Sequence, residues 1–86
     1  MTYQVHWRKE ASEELASIWL AADSEDRRAV IRAANAIDRE LSSNPAECGE
    51  SRNPNRRIFF HAPLGVIFEL MESRQAVYVL QIWRVP

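Results

Sequence analysis

Ten of the eleven basic side chains in this 86-residue sequence are arginine. The planar guanidinium fork suits phosphate or carboxylate recognition better than a lysine ammonium does. Arg52, just ahead of a strand-like run, could hold an anionic group; its plain alternative is an ion pair with Glu47 or Glu50. Arg57 lies inside that run, where a strand backbone holds a side chain more rigidly than a loop, and it competes with a bridge to Glu69 across the sheet. His61, at the end of the run, carries an imidazole that could shuttle a proton, against a purely structural role before a turn. Arg52, Arg57 and His61 are expected to converge at one sheet edge. Trp83 could stack on a base or on a partner's side chain, or pack on its own sheet. Cys48 has no paired base in view, and His6 has no metal-spaced companion, so neither a thiol nucleophile nor a metal site is expected.

These residues need elements to position them. Tyr3, Val5 and Trp7 alternate with Gln4, His6 and Arg8, the period of a strand with one buried face. From Lys9 the period changes: Ala11, Leu15, Ile18, Trp19 and Ala22 form one apolar stripe of a helix that ends near Ala22. Asp23 and Ser24 can cap a second helix with Glu25 and Asp26 in its first turn, and Val30, Ala33, Ala34, Ile37 and Leu41 as its stripe. Ser42, Ser43, Asn44 and Pro45 stop it. Residues 45–55 show no apolar periodicity and read as a loop. Three β-rich runs follow, Arg56 to His61, Val66 to Met71 and Ala76 to Trp83, with short connections that favour antiparallel hairpins. The expected architecture is α+β, in the order β-α-α-β-β-β, with the helical hairpin on one face of a small, mainly antiparallel sheet. The helix-facing set is predicted to be Ile58, Phe60, Val66, Phe68, Leu70, Tyr78, Leu80 and Ile82. Trp7, Leu15, Trp19, Ile37 and Leu41 are expected in the core.

The composition bounds the rest. Apolar residues make up 47% and charged residues 27% of the chain, which fits one globular domain over residues 1–86. At this size stability is expected to be marginal and to gain from a bound partner. A single cysteine rules out an intramolecular disulfide, and no cofactor motif or metal-ligand cluster is present. The amino terminus offers no secretory apolar core and no run is long enough to span a membrane, so a cytoplasmic location is expected. The net charge is -1, but it is unevenly spread. Residues 1–50 hold six basic and ten acidic side chains, and residues 51–86 hold five basic and two acidic ones.

The order and spacing of these features resemble the RelE/ParE superfamily, the toxins of type II toxin-antitoxin systems, often described as plasmid stabilisation proteins. The resemblance rests on Tyr3, Val5 and Trp7; on Ala11, Glu14, Leu15, Ile18 and Trp19; on Ile37, Asp38, Leu41, Asn44 and Pro45; on Gly49, Glu50, Ser51 and Arg52. It continues through Arg57, Pro63, Leu64, Val66, Phe68, Glu69, Val77, Val79, Leu80 and Ile82. It implies a bacterial toxin held inactive by a cognate antitoxin, with a homodimer and a heterotetramer with antitoxin both open. Ribonuclease members cut ribosome-bound mRNA without metal, using cations against the phosphate and side chains that move protons. The resemblance would give those roles to Arg52, Arg57 and Arg84 as cations and to His61 or Glu50 as acid or base. Such relatives commonly carry arginine where this sequence has Gly65, and histidine or tyrosine where it has Trp83 and Arg84. Another branch inhibits DNA gyrase and lacks a complete nuclease set. A relative without catalysis that only binds a protein partner is the alternative.

Overall fold

A computed structural model describes residues 2–53 and 55–86 of the chain. Strand β1 (Gln4–Trp7) leads into helix α1 (Lys9–Ala21) and helix α2 (Ser24–Ser43). A short 3-10 turn at Pro45–Glu47 precedes β2 (Glu50–Asn53), β3 (Arg56–His61), β4 (Leu64–Met71) and β5 (Ala76–Arg84). The five strands form one sheet in the order β1-β5-β4-β3-β2. Its pairings are antiparallel except that β1 runs parallel to β5, with Val5 opposite Val77 and Trp7 opposite Val79. Both helices lie on one face, as the hairpin pattern predicts.

The helices begin and end where the local chemistry dictates. The Asp23 carboxylate accepts the Asp26 backbone N–H at 2.9 Å, and Glu25 and Asp26 sit in the first turn of α2. Pro45 follows its last residues and opens the 3-10 turn. At the end of α1 the Arg27 guanidinium donates to the carbonyls of Trp19 and Leu20, at 2.9 and 3.1 Å, and lies over the Trp19 ring. One side chain of α2 thus satisfies carbonyls that the helix leaves without partners.

Between the layers, Ala11, Val30, Ala33, Ile37, Leu41, Leu64, Val66, Phe68, Val77, Val79 and Ile82 make the core. The α2 stripe enters it as expected, whereas α1 buries only Ala11 fully, with Leu15 and Ile18 partly buried against the core and Trp19 38% exposed. Burying these side chains supplies the main drive for folding.

Three expectations need correction. The segment 45–55 is not a simple loop, because residues 50–53 pair with β3 as an edge strand. Such a strand can be polar on both faces, so Glu50-Ser51-Arg52 gives no apolar alternation. On β3, Phe59 rather than Ile58 and Phe60 turns toward the helices, since Phe59 pairs with buried Val66 while Phe60 is 55% exposed. On β5, Val77 and Val79 are buried in place of Tyr78 and Leu80. The register passes from Phe68 opposite Val79 to Ile67 opposite Gln81, leaving Leu80 as an extra residue. This bulge switches the inward set, so Ile82 returns to the core. The Ile82 N–H is taken by the Glu14 carboxylate of α1 at 3.1 Å.

Candidate functional site

Strands β2 and β3 position four of the five candidates. Arg52 makes an exposed ion pair with Glu50 at 3.1 Å, so these two candidates neutralise one another. Glu50 pairs in register with Ile58 and Ser51 with Arg57. Pleating therefore places Glu50 on the face away from the helices and Arg57 on the face toward them. Arg57 donates from Nε to the Cys48 carbonyl at 2.8 Å and from a terminal nitrogen to the Gly49 carbonyl at 2.9 Å. The bridge to Glu69 belongs to its neighbour Arg56, at 3.8 Å.

Arg84 lies at the far end of β5, opposite buried Leu64, and pairs with Asp26 of α2 at 3.0 Å. His61 is the partner of Leu64 on the other side. His61 and Arg84 thus flank one core residue on the helix-facing side, with α2 dividing their surroundings. His61 lines a polar depression of about 410 Å³ with Arg39, Glu40, Ser43 and Asn44, while Arg84 borders the other edge beside α1. Neither Arg39 nor Glu40 has a side-chain ion pair among the described residues. Sequence reasoning missed both, because their closeness to His61 depends on how α2 crosses β3.

Behind the Arg57 carbonyl brace, Cys48 is buried and its thiol donates to the Asn44 carbonyl. Burial pushes that thiol above its ordinary range; the Glu40 carboxylate adds to the rise and Arg57 opposes it. This is the setting of an inert thiol rather than a nucleophile. Among the described residues no three His, Cys, Asp or Glu side chains are grouped to hold a metal, and no helix is long and apolar enough to cross a membrane.

On the helix-free face, Gly65 lies beneath an edge-to-face pair formed by Phe60 and Trp83, with ring centroids 5.9 Å apart. A Cβ at Gly65 would meet Trp83 Cε2 at 2.8 Å and Phe60 Cδ1 at 2.9 Å. The two aromatics therefore occupy the space that a side chain at this position would need. Farther along, His6 stacks on Tyr78 at 5.2 Å, and the Arg8 guanidinium lies 5.5 Å from the same tyrosine ring.

A wide concavity lies between the outer sides of α1 and α2. It measures about 680 Å³, has Trp7, Leu15 and Ala34 in its lining, and is bordered by Trp19, Leu20 and Ile31. The Trp7 indole N–H donates to the Asp38 carboxylate at one end. Leu20 and Ile31 fall outside the core stripes of their helices, which is the sequence signal that could have found this groove.

No protein-family model matches the sequence, and no curated protein matches it. Among solved structures, the chain is similar to one of the chromosomal ParDE TA system from P. aeruginosa, with a TM-score of 0.75, 17% identity and coverage of 99% of this chain and 98% of the other. A chain of the toxin-antitoxin complex RelBE2 from Mycobacterium tuberculosis gives a TM-score of 0.72 at 16% identity, over 98% and 92% of the two chains. The isolated E. coli RelE toxin gives 0.66 at 14% identity, over 98% and 85%. The fold is that of the RelE and ParE toxins.

Proposed function

From the fold it shares with ParE and RelE, we propose that this chain is the toxin half of a toxin-antitoxin pair, acting through contacts with a protein target and silenced by a cognate antitoxin. Gyrase is the target class that the ParE branch of the resemblance offers. One observation carries this reading: Arg52, Arg57 and Arg84 are each engaged within the molecule, on Glu50, on the Cys48 and Gly49 carbonyls, and on Asp26. Guanidinium groups tied in this way serve the framework first. Gripping a scissile phosphate would require them to exchange those partners. The apolar pair over Gly65 fits the same reading, since exposed aromatics are typical of protein interfaces.

A second reading, metal-independent RNA cleavage, draws on the depression that joins His61 to Arg39 and Glu40. There a cation, a carboxylate and an imidazole share one polar site, the residue types that attack by a ribose 2′-hydroxyl requires.

Induced expression separates the two. Protein-directed action should arrest growth and alter plasmid supercoiling with messages intact, and His61→Ala and Arg39→Ala should leave the arrest unchanged. Message cleavage that is lost in those variants while they remain folded would reject the protein-directed reading. Co-expression with the product of an adjacent reading frame should relieve the arrest and co-purify with the chain. Failure of every adjacent product to do so would remove the antitoxin from the proposal.

A further inference from the structure

The outer surface of the helical hairpin has two unlike ends that match one another. At one end Trp19, Leu20 and Ile31 stand out from the helices, at 38%, 67% and 46% exposure. At the other end of the same groove, Ser12, Ala16 and Asn35 join Leu15 and Ala34 in the lining. Charge divides in the same way. Arg28 and Arg32 border the Trp19 and Ile31 end and have no ion pair among the described residues, whereas Asp38 borders the other end. Arg28 and Asp38 are ten residues apart on α2, about 15 Å along the axis.

A two-fold axis passing near Ala33 would lay α2 antiparallel to its mate. It would bring Arg28 toward Asp38 of the second copy and Ile31 toward Asn35. The apolar end of each copy would then lie over the Ser12, Ala16 and Asn35 end of the other, with opposite charges facing at both ends. An unrelated helix could fill the groove, but it would not require the surface to complement itself in charge. Self-complementarity is the condition for an isologous dimer. The Trp19 end is also pre-organised. The Arg27 guanidinium lies 4.3 Å from the Trp19 ring centroid while its nitrogens hold the two carbonyls at the end of α1. A tryptophan held in this way loses little freedom on docking, as interface anchors require. We propose that the chain forms a two-fold homodimer through the outer faces of α1 and α2, with Trp19, Leu20 and Ile31 as its apolar anchors.

Sedimentation equilibrium of the purified full chain over a concentration series tests this. The wild type should pass reversibly from monomer to dimer. Leu20→Glu and Ile31→Glu should each raise the dissociation constant at least about tenfold, with helical circular dichroism and melting temperature retained because both side chains are exposed. Arg28→Glu combined with Arg32→Glu should weaken the dimer, and added salt should weaken the wild-type dimer in the same direction. A wild type that stays monomeric throughout, or a dimer indifferent to Leu20→Glu and Ile31→Glu, would overturn the proposal. So would groove variants that lose capture of a neutralising antitoxin while the wild type shows no self-association, since the surface would then be the antitoxin's seat.

Discussion

Gly49 has φ of +65°, and a Cβ there would fall 1.8 Å from the Ile58 carbonyl oxygen. Backbone cannot yield as a flexible side chain can. Gly49→Ala should therefore cost about 3 kcal/mol or more in chemical denaturation, from left-handed strain together with overpacking. Gly65→Ala should cost less, about 1 kcal/mol, because exposed Phe60 can swing aside. Its signature would be a shift in tryptophan fluorescence as Trp83 moves. Arg57→Ala removes both donors from the Cys48 and Gly49 carbonyls and should lower stability by about 2 kcal/mol, so any loss of activity in that variant has to be weighed against loss of fold. The buried thiol sets a pH dependence. The folded state keeps the Cys48 proton above its ordinary value of 9.0, so its contribution is complete below that pH. It is lost as pH rises, because the unfolded thiol ionises first. Cys48→Ser should flatten this alkaline decline in stability.

Capping and edge pairing govern the elements. Asp23→Ala leaves the Asp26 N–H without its acceptor and should cost about 1 kcal/mol, read as a lower melting temperature. That cap was legible because its chemistry is local: an acceptor three residues ahead of an orphan donor, followed by an apolar stripe. Most of the helical core was legible for the same reason. What escaped the sequence depends on other segments. Residues 50–53 become a strand because β3 offers them an open edge, and no periodicity of their own announces it. Leu80 looks like the next inward residue after Tyr78 until the bulge beside Phe68 and Ile67 reverses the alternation. The candidate site was legible as residue types but not as partners. Nothing within β5 marks Asp26 as the neighbour of Arg84, and nothing within α2 marks Arg39 as the neighbour of His61. Asp26→Ala tests the first pairing and should lower stability by no more than about 1 kcal/mol, since both side chains are partly exposed.

Across the whole molecule, the cationic excess of residues 51–86 does not form a single anion-gripping field. Arg52, Arg56 and Arg84 each meet a carboxylate, two of them on strands and one on α2. Any activity that works through apolar docking should therefore survive added salt better than one that grips a phosphate backbone. Binding to any captured partner, measured at low and high ionic strength, checks this directly.

The parallel pairing of β1 with β5 also governs when the protein can exist during synthesis. Gln4 to Trp7 find their sheet neighbours only at residues 76–79, and β5 is also the strand that separates β1 from β4. A nascent chain stopped at residue 75 would hold its helical hairpin over an unfinished sheet and should show no cooperative melting. Arrested or truncated translation products would thus lack the folded state, and any surface built on the sheet would arrive in one step as β5 clears the ribosomal tunnel.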